Sequence, residues 1–230
     1  MRINRVTFTG ADNNTDIKAL VDIQKEFPFV EWGILVATKE GKKRYPTEDF
    51  ILQLKDKNLN LALHLCGKYT RGILTDGVID IKHDFFNRYQ VNFNFLYAPH
   101  DLNNYKKLTE TFPDKKFILQ YNASNDAYIK KIISEYNTSN THILYDASGG
   151  RGTEIKTIKA PHEGIYTGYS GGLNPTNVAQ ICEEIYNHKD ESKVWIDMES
   201  GVRTDDEFDL DKVYKVLKEV DKFINKGFTI

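Results

Sequence analysis

At 230 residues, 40% of them hydrophobic, the chain has the length of one large α/β domain, here read as a single unit over residues 1–230. Its 31 Lys+Arg against 33 Asp+Glu leave a formal net charge of −2, so no global field draws it to nucleic acid or an anionic membrane. Two cysteines, Cys66 and Cys182, stand far apart without a CxxC pair, which argues against a disulfide scaffold or a structural zinc and fits a reducing compartment.

From the N-terminus, short β-type runs alternate with helical stretches. Strands are predicted at Arg5–Thr9, Val30–Ala37, Leu59–Cys66, Gln90–Leu96, Lys116–Tyr121, His142–Asp146, Gly164–Gly168 and Val194–Glu199. Ile17, Leu20, Val21 and Gln24 trace one helical turn series, and Ile129, Ile132, Ile133 and Tyr136 another. The last helix is marked by the stripe Leu210, Val213, Val216, Leu217, Val220 and Phe223. Thr47, Asn125 and Asn174 (the last followed by Pro175) are predicted helix starts. The stretch Lys68–Phe86 mixes glycines and charges and defines no clear helix. The opening MRINRVTFTG has no apolar run like a signal peptide, and nothing approaches the roughly 18 apolar residues of a membrane helix. The sequence therefore reads as that of a cytoplasmic protein.

About eight β/α units with short connections imply parallel strands joined by crossover helices. The strands decide between a closed barrel and an open doubly wound sheet. Leu61, Leu63 and Leu65 alternate with Ala62, His64 and Cys66; Val91, Phe93 and Phe95 alternate with Asn92 and Asn94; Val194, Ile196 and Met198 alternate with Trp195, Asp197 and Glu199. A strand covered on both faces of an open sheet reads as continuously apolar. One apolar and one polar face instead suits a (β/α)8 TIM barrel, whose interior polar groups gather near strand C-termini. Thr7, Thr9, His64, Asn92, Asn94, Gln120, Asp146, Asp197 and Glu199 are the candidates for that interior.

The stretch TGYSGGLNPTNV, residues 167–178, ends a strand in the pair Gly171-Gly172 and leads into a helix. Exposed backbone amides there favour an anion such as phosphate. After the next strand, Ser200-Gly201 offer a hydroxyl and further amides, and loops seven and eight are the usual phosphate position in this fold. Asp146, at a strand end before the glycine-rich 147–153 loop, is a candidate general acid or base. Arg151 in that loop is either an anion clamp or a solvated charge.

The blocks LYDASGGRGT (144–153), GYSGGLNPTNV (168–178) and WIDMESGVRT (195–204) resemble the C-terminal half of the phosphoribosylanthranilate isomerase family. Gly33-Ile34-Leu35 followed by Lys43-Arg44-Tyr45-Pro46 is also similar to that family's second strand and loop. The resemblance implies the same barrel and an Amadori rearrangement of an aminoaldose phosphate to an aminoketose phosphate. Carried over by motif, Asp146 is the acid, Arg44 holds the anthranilate carboxylate, and Gly171, Gly172, Ser200 and Gly201 bind phosphate.

The family's base, a cysteine ending the first strand, has no counterpart, because this chain reads Thr7-Phe8-Thr9-Gly10. A threonine hydroxyl has no useful basicity near neutral pH. Glu199 is the favoured replacement, with Cys66 and His64 as alternatives, while Thr9, His64 and Asp197 line the substrate side of the mouth. Cys182 is read as packing. The reading is therefore an isomerase-class (intramolecular oxidoreductase) enzyme with Asp146 and Glu199 as acid/base pair and a phosphorylated small molecule as partner. It expects no cofactor and no metal, no nucleic acid and no membrane, and a monomer or homodimer. The alternatives are a non-catalytic phosphometabolite-binding or regulatory protein, and a metal-dependent lyase or epimerase using His64, Asp146, Asp197 and Glu199.

Overall fold

The computed structural model describes residues 1–37, 42–77, 81, 83–92, 101–136, 139–146, 155 and 157–224. Eight strands, β1 (Arg2–Thr9), β2 (Val30–Val36), β3 (Leu61–Leu65), β4 (Arg88–Val91), β5 (Lys116–Tyr121), β6 (Thr141–Asp146), β7 (Thr167–Ser170) and β8 (Lys193–Met198), pair in chain order. Every neighbouring pair is parallel, and β1 pairs with β8 as well as β2, so the sheet closes into a (β/α)8 barrel. The open-sheet alternative is excluded by that closure.

Helices α1 (Ile17–Glu26), α2 (Glu48–Gln53), α3 (Lys68–Asp76), α4 (Leu102–Thr111), α5 (Asp126–Glu135), α6 (Val178–Tyr186) and α7 (Leu210–Ile224) surround it. A two-stranded hairpin of β9 (Arg203–Thr204) and β10 (Glu207–Phe208) follows β8. Among the described residues no helix lies between β6 and β7, and no helix is long and apolar enough to cross a membrane.

Strand alternation produces two apolar cores. The larger lies between sheet and helices and takes Leu61, Leu63, Leu65, Val91, Val194, Ile196 and Met198. The smaller consists of Ile118, Leu144 and Trp195 with Tyr166 packed on it. Ile118, Leu144 and Trp195 alternate along their strands with Phe117 and Leu119, with Ile143, and with Val194 and Ile196 of the larger core, so they fill the barrel interior.

Several boundaries differ from the sequence reading. The seventh strand runs Thr167–Ser170 rather than from Gly164, because Gly164 holds a left-handed φ of +71° that no strand accommodates. Gly168 lies inside that strand, where a side chain would overlap the Trp195 ring. The helix after Asn174 starts at Val178, since the Asn174 carbonyl closes a turn by accepting from the amides of Asn177 and Val178. The stretch after Cys66 does form a helix, bounded by Gly67 (φ +64°) and the left-handed Gly77 (φ +63°). The fourth strand begins at Arg88; Phe93, Asn94, Phe95 and Leu96 lie outside the described residues. Thr47 does cap α2, accepting from the Phe50 amide at 3.4 Å, and Asn125 occupies the α5 cap position without a side-chain bond into the helix.

Candidate functional site

The turns after β7 and β8 come together. Gly171 and Gly172 take φ of +134° and +60°, conformations that favour glycine. The Gly172 carbonyl accepts from Asn174 Nδ2 at 2.9 Å and Asn177 Nδ2 at 3.0 Å. In a trans peptide this turns the Leu173 N–H the opposite way. Gly201, in the 3₁₀ turn Ser200–Val202, stands so close to the Leu173 carbonyl that any side chain would overlap it. Among the described residues, the amides of Gly171, Gly172, Ser200 and Gly201 enter no backbone hydrogen bond.

Strand register aligns the carboxylates beside them. Asp146 pairs in register with Ser170, and Ser170 with Asp197, so the three are neighbours across adjacent strands. Asp146 is buried and one of its oxygens accepts a short hydrogen bond from Gln120 Nε2. Arg151 and the rest of the 147–154 loop lie outside the described residues.

Asp197 sits deeper. Its Oδ1 accepts from Thr9 Oγ1 at 2.9 Å, while Oδ2 is enclosed and lies 4.0 Å from His64 Nε2. Neither Oδ2 nor that nitrogen has a hydrogen-bond partner among the described residues. Gly33 makes room for the group, because a Cβ there would overlap Thr9 Oγ1 and reach within 3.1 Å of His64 Nε2. Burial pushes the Asp197 carboxyl up to about 8 and the His64 imidazole down to about 4. Both are therefore predominantly neutral at pH 7. Burial also raises the Cys66 thiol, whose sulfur accepts from Asn92 Nδ2 at 3.4 Å, so Cys66 offers no thiolate. Cys182 is fully buried on α6 in the outer core.

Glu199, just past β8, lies beside the end of β1, its Cγ 3.8 Å from where a Gly10 Cβ would be. Its Oε1 accepts from Arg44 Nη1 at 2.6 Å, and Arg44 Nη2 donates to Asp206 Oδ1 at 2.6 Å. Burial pushes the Glu199 carboxyl above the usual range, with Arg44 opposing the rise. Asp205 and Asp206, with φ of 52° and 59°, form the tight turn of the β9–β10 hairpin. The same hairpin sends Arg203 inward, where it donates to the Gly10 carbonyl at 2.6 Å and to Asp12 Oδ2 at 2.9 Å. Gly10 (φ +104°) is required there, since a Cβ would come within 2.7 Å of Arg203 Nη1.

Thr9, His64 and Asp197 thus form one group and Glu199 and Arg44 another on the β1–β3 and β8 side of the mouth, while Asp146 ends β6. Sequence reasoning gave no role to Arg203, Asp12 or Asp206. An Asp-Asp pair between two short extended runs was the signal for the hairpin, but nothing local revealed that it reaches the loop after β2.

A closed parallel barrel with polar groups at its strand C-termini defines the chain as a (β/α)8 barrel protein. The sequence pattern for N-(5'-phosphoribosyl)anthranilate (PRA) isomerase matches residues 100–219, over half of the chain, and the chain belongs to that family. Among solved structures it is similar to monomers generated from the dimeric phosphoribosylanthranilate isomerase of Thermotoga maritima (18% identity, 96% of this chain and 100% of that one, TM-score 0.62). It is also similar to the N-(5'-phosphoribosyl)anthranilate isomerase of Pyrococcus furiosus (15%, 95% and 98%, 0.61) and the 3-hexulose-6-phosphate synthase of Salmonella typhimurium (10%, 95% and 99%, 0.55). At these identities the likeness shows the fold. No curated protein matches the chain in sequence.

Proposed function

We propose that this chain is an enzyme that isomerises a phosphorylated sugar or related phosphometabolite by acid/base aldose–ketose chemistry. The observation that carries the reading is the meeting of two donor-rich turns, at Gly171-Gly172 and Ser200-Gly201, whose amides have no backbone partners among the described residues. Amides so grouped favour a phosphate dianion without needing a cationic side chain.

With phosphate held there, Asp146 and Glu199 flank the sugar from β6 and from the end of β8. In an aminoaldose phosphate, Asp146 gives its proton to the ring oxygen as the C1–O bond breaks and the nitrogen lone pair forms C1=N. The Glu199 carboxylate then takes the C2 proton, and the C–H electron pair moves through C1 to nitrogen, giving an enolamine that tautomerises to the aminoketose. Glu199 lies next to the end of β1, so it serves the place that Thr9 cannot. Thr9, His64 and Asp197 form the floor under the substrate. The protein acts as one domain spanning 1–230, without a cofactor, in the cytoplasm, as a monomer or homodimer.

Asp146→Asn and Glu199→Gln should each lower kcat on an aminoaldose phosphate by about 10²–10⁴-fold, with the thermal midpoint retained. Full turnover in both variants rejects the pair. A second reading, a phosphometabolite-binding or regulatory barrel, is favoured by the commitment of the Thr9 hydroxyl to Asp197. Rescue of a tryptophan auxotroph by the native chain would discard it; rescue only by Thr9→Cys would support it.

A further inference from the structure

The state of Arg44 restricts what the other half of the substrate can be. Two of its three guanidinium nitrogens are held by carboxylates, Glu199 at 2.6 Å and Asp206 at 2.6 Å, and the third, Nε, is enclosed without a partner among the described residues. The Asp206 carboxylate also reaches Arg203 Nε at 3.4 Å, and Arg203 is paired with Asp12 at 2.9 Å. Three carboxylates thus face two guanidiniums at this side of the mouth. Neighbouring Lys43 is held by Glu207 at 2.8 Å. An incoming carboxylate would have to displace an existing one from a half-buried guanidinium and would meet local negative charge.

We propose that Glu199 and Asp206 make this barrel select a phosphorylated sugar whose non-phosphate half carries no carboxylate and instead presents hydrogen-bond donors, amino or hydroxyl. This rests on the phosphosugar reading above and narrows it. It also departs from the role that the family resemblance implies for Arg44. Glu199 and Asp206 act as specificity residues, with Arg44 bracing the two acceptors rather than serving as a carboxylate receptor.

Three ligands test the inference by calorimetry on the full chain: ribose 5-phosphate, an N-phenylaminopentitol 5-phosphate, and the same compound with a ring carboxylate ortho to nitrogen. Wild type should bind the phenyl compound about tenfold or more tighter than the carboxyphenyl one, the worth of a charge-assisted pair. Glu199→Gln keeps the side-chain size and removes the charge, and should narrow that gap or reverse it. Asp206→Asn, on an exposed turn, should move it the same way and serves if Glu199→Gln melts early. Equal or tighter wild-type binding of the carboxyphenyl compound overturns the proposal, as does a preference unchanged in both variants. If ribose 5-phosphate binds in either of those outcomes, the phosphosugar reading stands while this inference falls. If none of the three ligands binds, both fall.

Discussion

At the N-terminal end of the barrel interior Glu31 is met by Arg88 at 2.5 Å, Thr7 at 2.8 Å and Arg5 at 3.0 Å, whereas at the C-terminal end Asp197 accepts a hydrogen bond, among the described residues, from Thr9 at 2.9 Å. Arg88 in turn lies over the Trp195 ring at 4.5 Å and the Tyr166 ring at 5.6 Å, contacts that shelter its remaining nitrogens. Both carboxyls are buried, yet they end up in opposite states. Burial alone would raise Glu31, but Arg88 and Arg5 outweigh it and hold that carboxyl below its ordinary range. At Asp197 burial wins. The lower end pairs its carboxylate with cations; at the upper end a carboxyl oxygen, Asp197 Oδ2, is left without a partner among the described residues, as in a site that must meet a ligand.

The sharpest way to break this comparison is Glu31→Gln. It leaves the buried Arg88 and the partly exposed Arg5 around a neutral amide and should cost about 3–5 kcal/mol in denaturant unfolding. A variant as stable as wild type would show that the lower network holds nothing together.

Asp197→Asn should act in the other direction, in a definite pH window. The folded carboxyl is raised from 3.8 to about 8, so between those values the unfolded chain ionises while the folded one keeps its proton. Stability is therefore lost as pH rises through this range. The amide removes that penalty, so the variant's thermal midpoint should match wild type near pH 4 and exceed it increasingly toward pH 8. His64, lowered from 6.5 to about 4, contributes stability that is full above 6.5 and lost as pH falls toward 4. That contribution is common to both proteins and largely cancels in their difference. A gap independent of pH would mean that Asp197 is already ionised.

The smallest effect belongs to the rim. Lys43 and Glu207 are both about half exposed, so Lys43→Ala should leave the denaturant midpoint close to that of wild type. A larger loss would mean that the hairpin and the loop after β2 support each other far more than an exposed pair can.

The barrel itself was legible because alternation in β3 and β8 is a local property: each leucine or valine on one face implies its polar neighbour on the other. The glycine turn at 171–172 was legible for a similar reason, since paired glycines before an Asn-Pro announce special backbone angles. The seventh strand was misplaced because Tyr166 and Ile165 look strand-like, and the left-handed angle at Gly164 does not show in composition. Glu199 was visible as a carboxyl near the mouth, but its attachment to Arg44, 155 positions earlier, was not.

The sequence by itself determined the eight-fold β/α alternation, the polar face of the strands and the two glycine-bearing turns, because these depend on the period and on backbone freedom within a few residues. Only the tertiary structure decided which charges neutralise one another. Closing β8 onto β1 brings Glu199, Asp206 and Arg203 against Arg44, Gly10 and Asp12, and the strength of an ion pair depends on distance and burial rather than on separation along the chain.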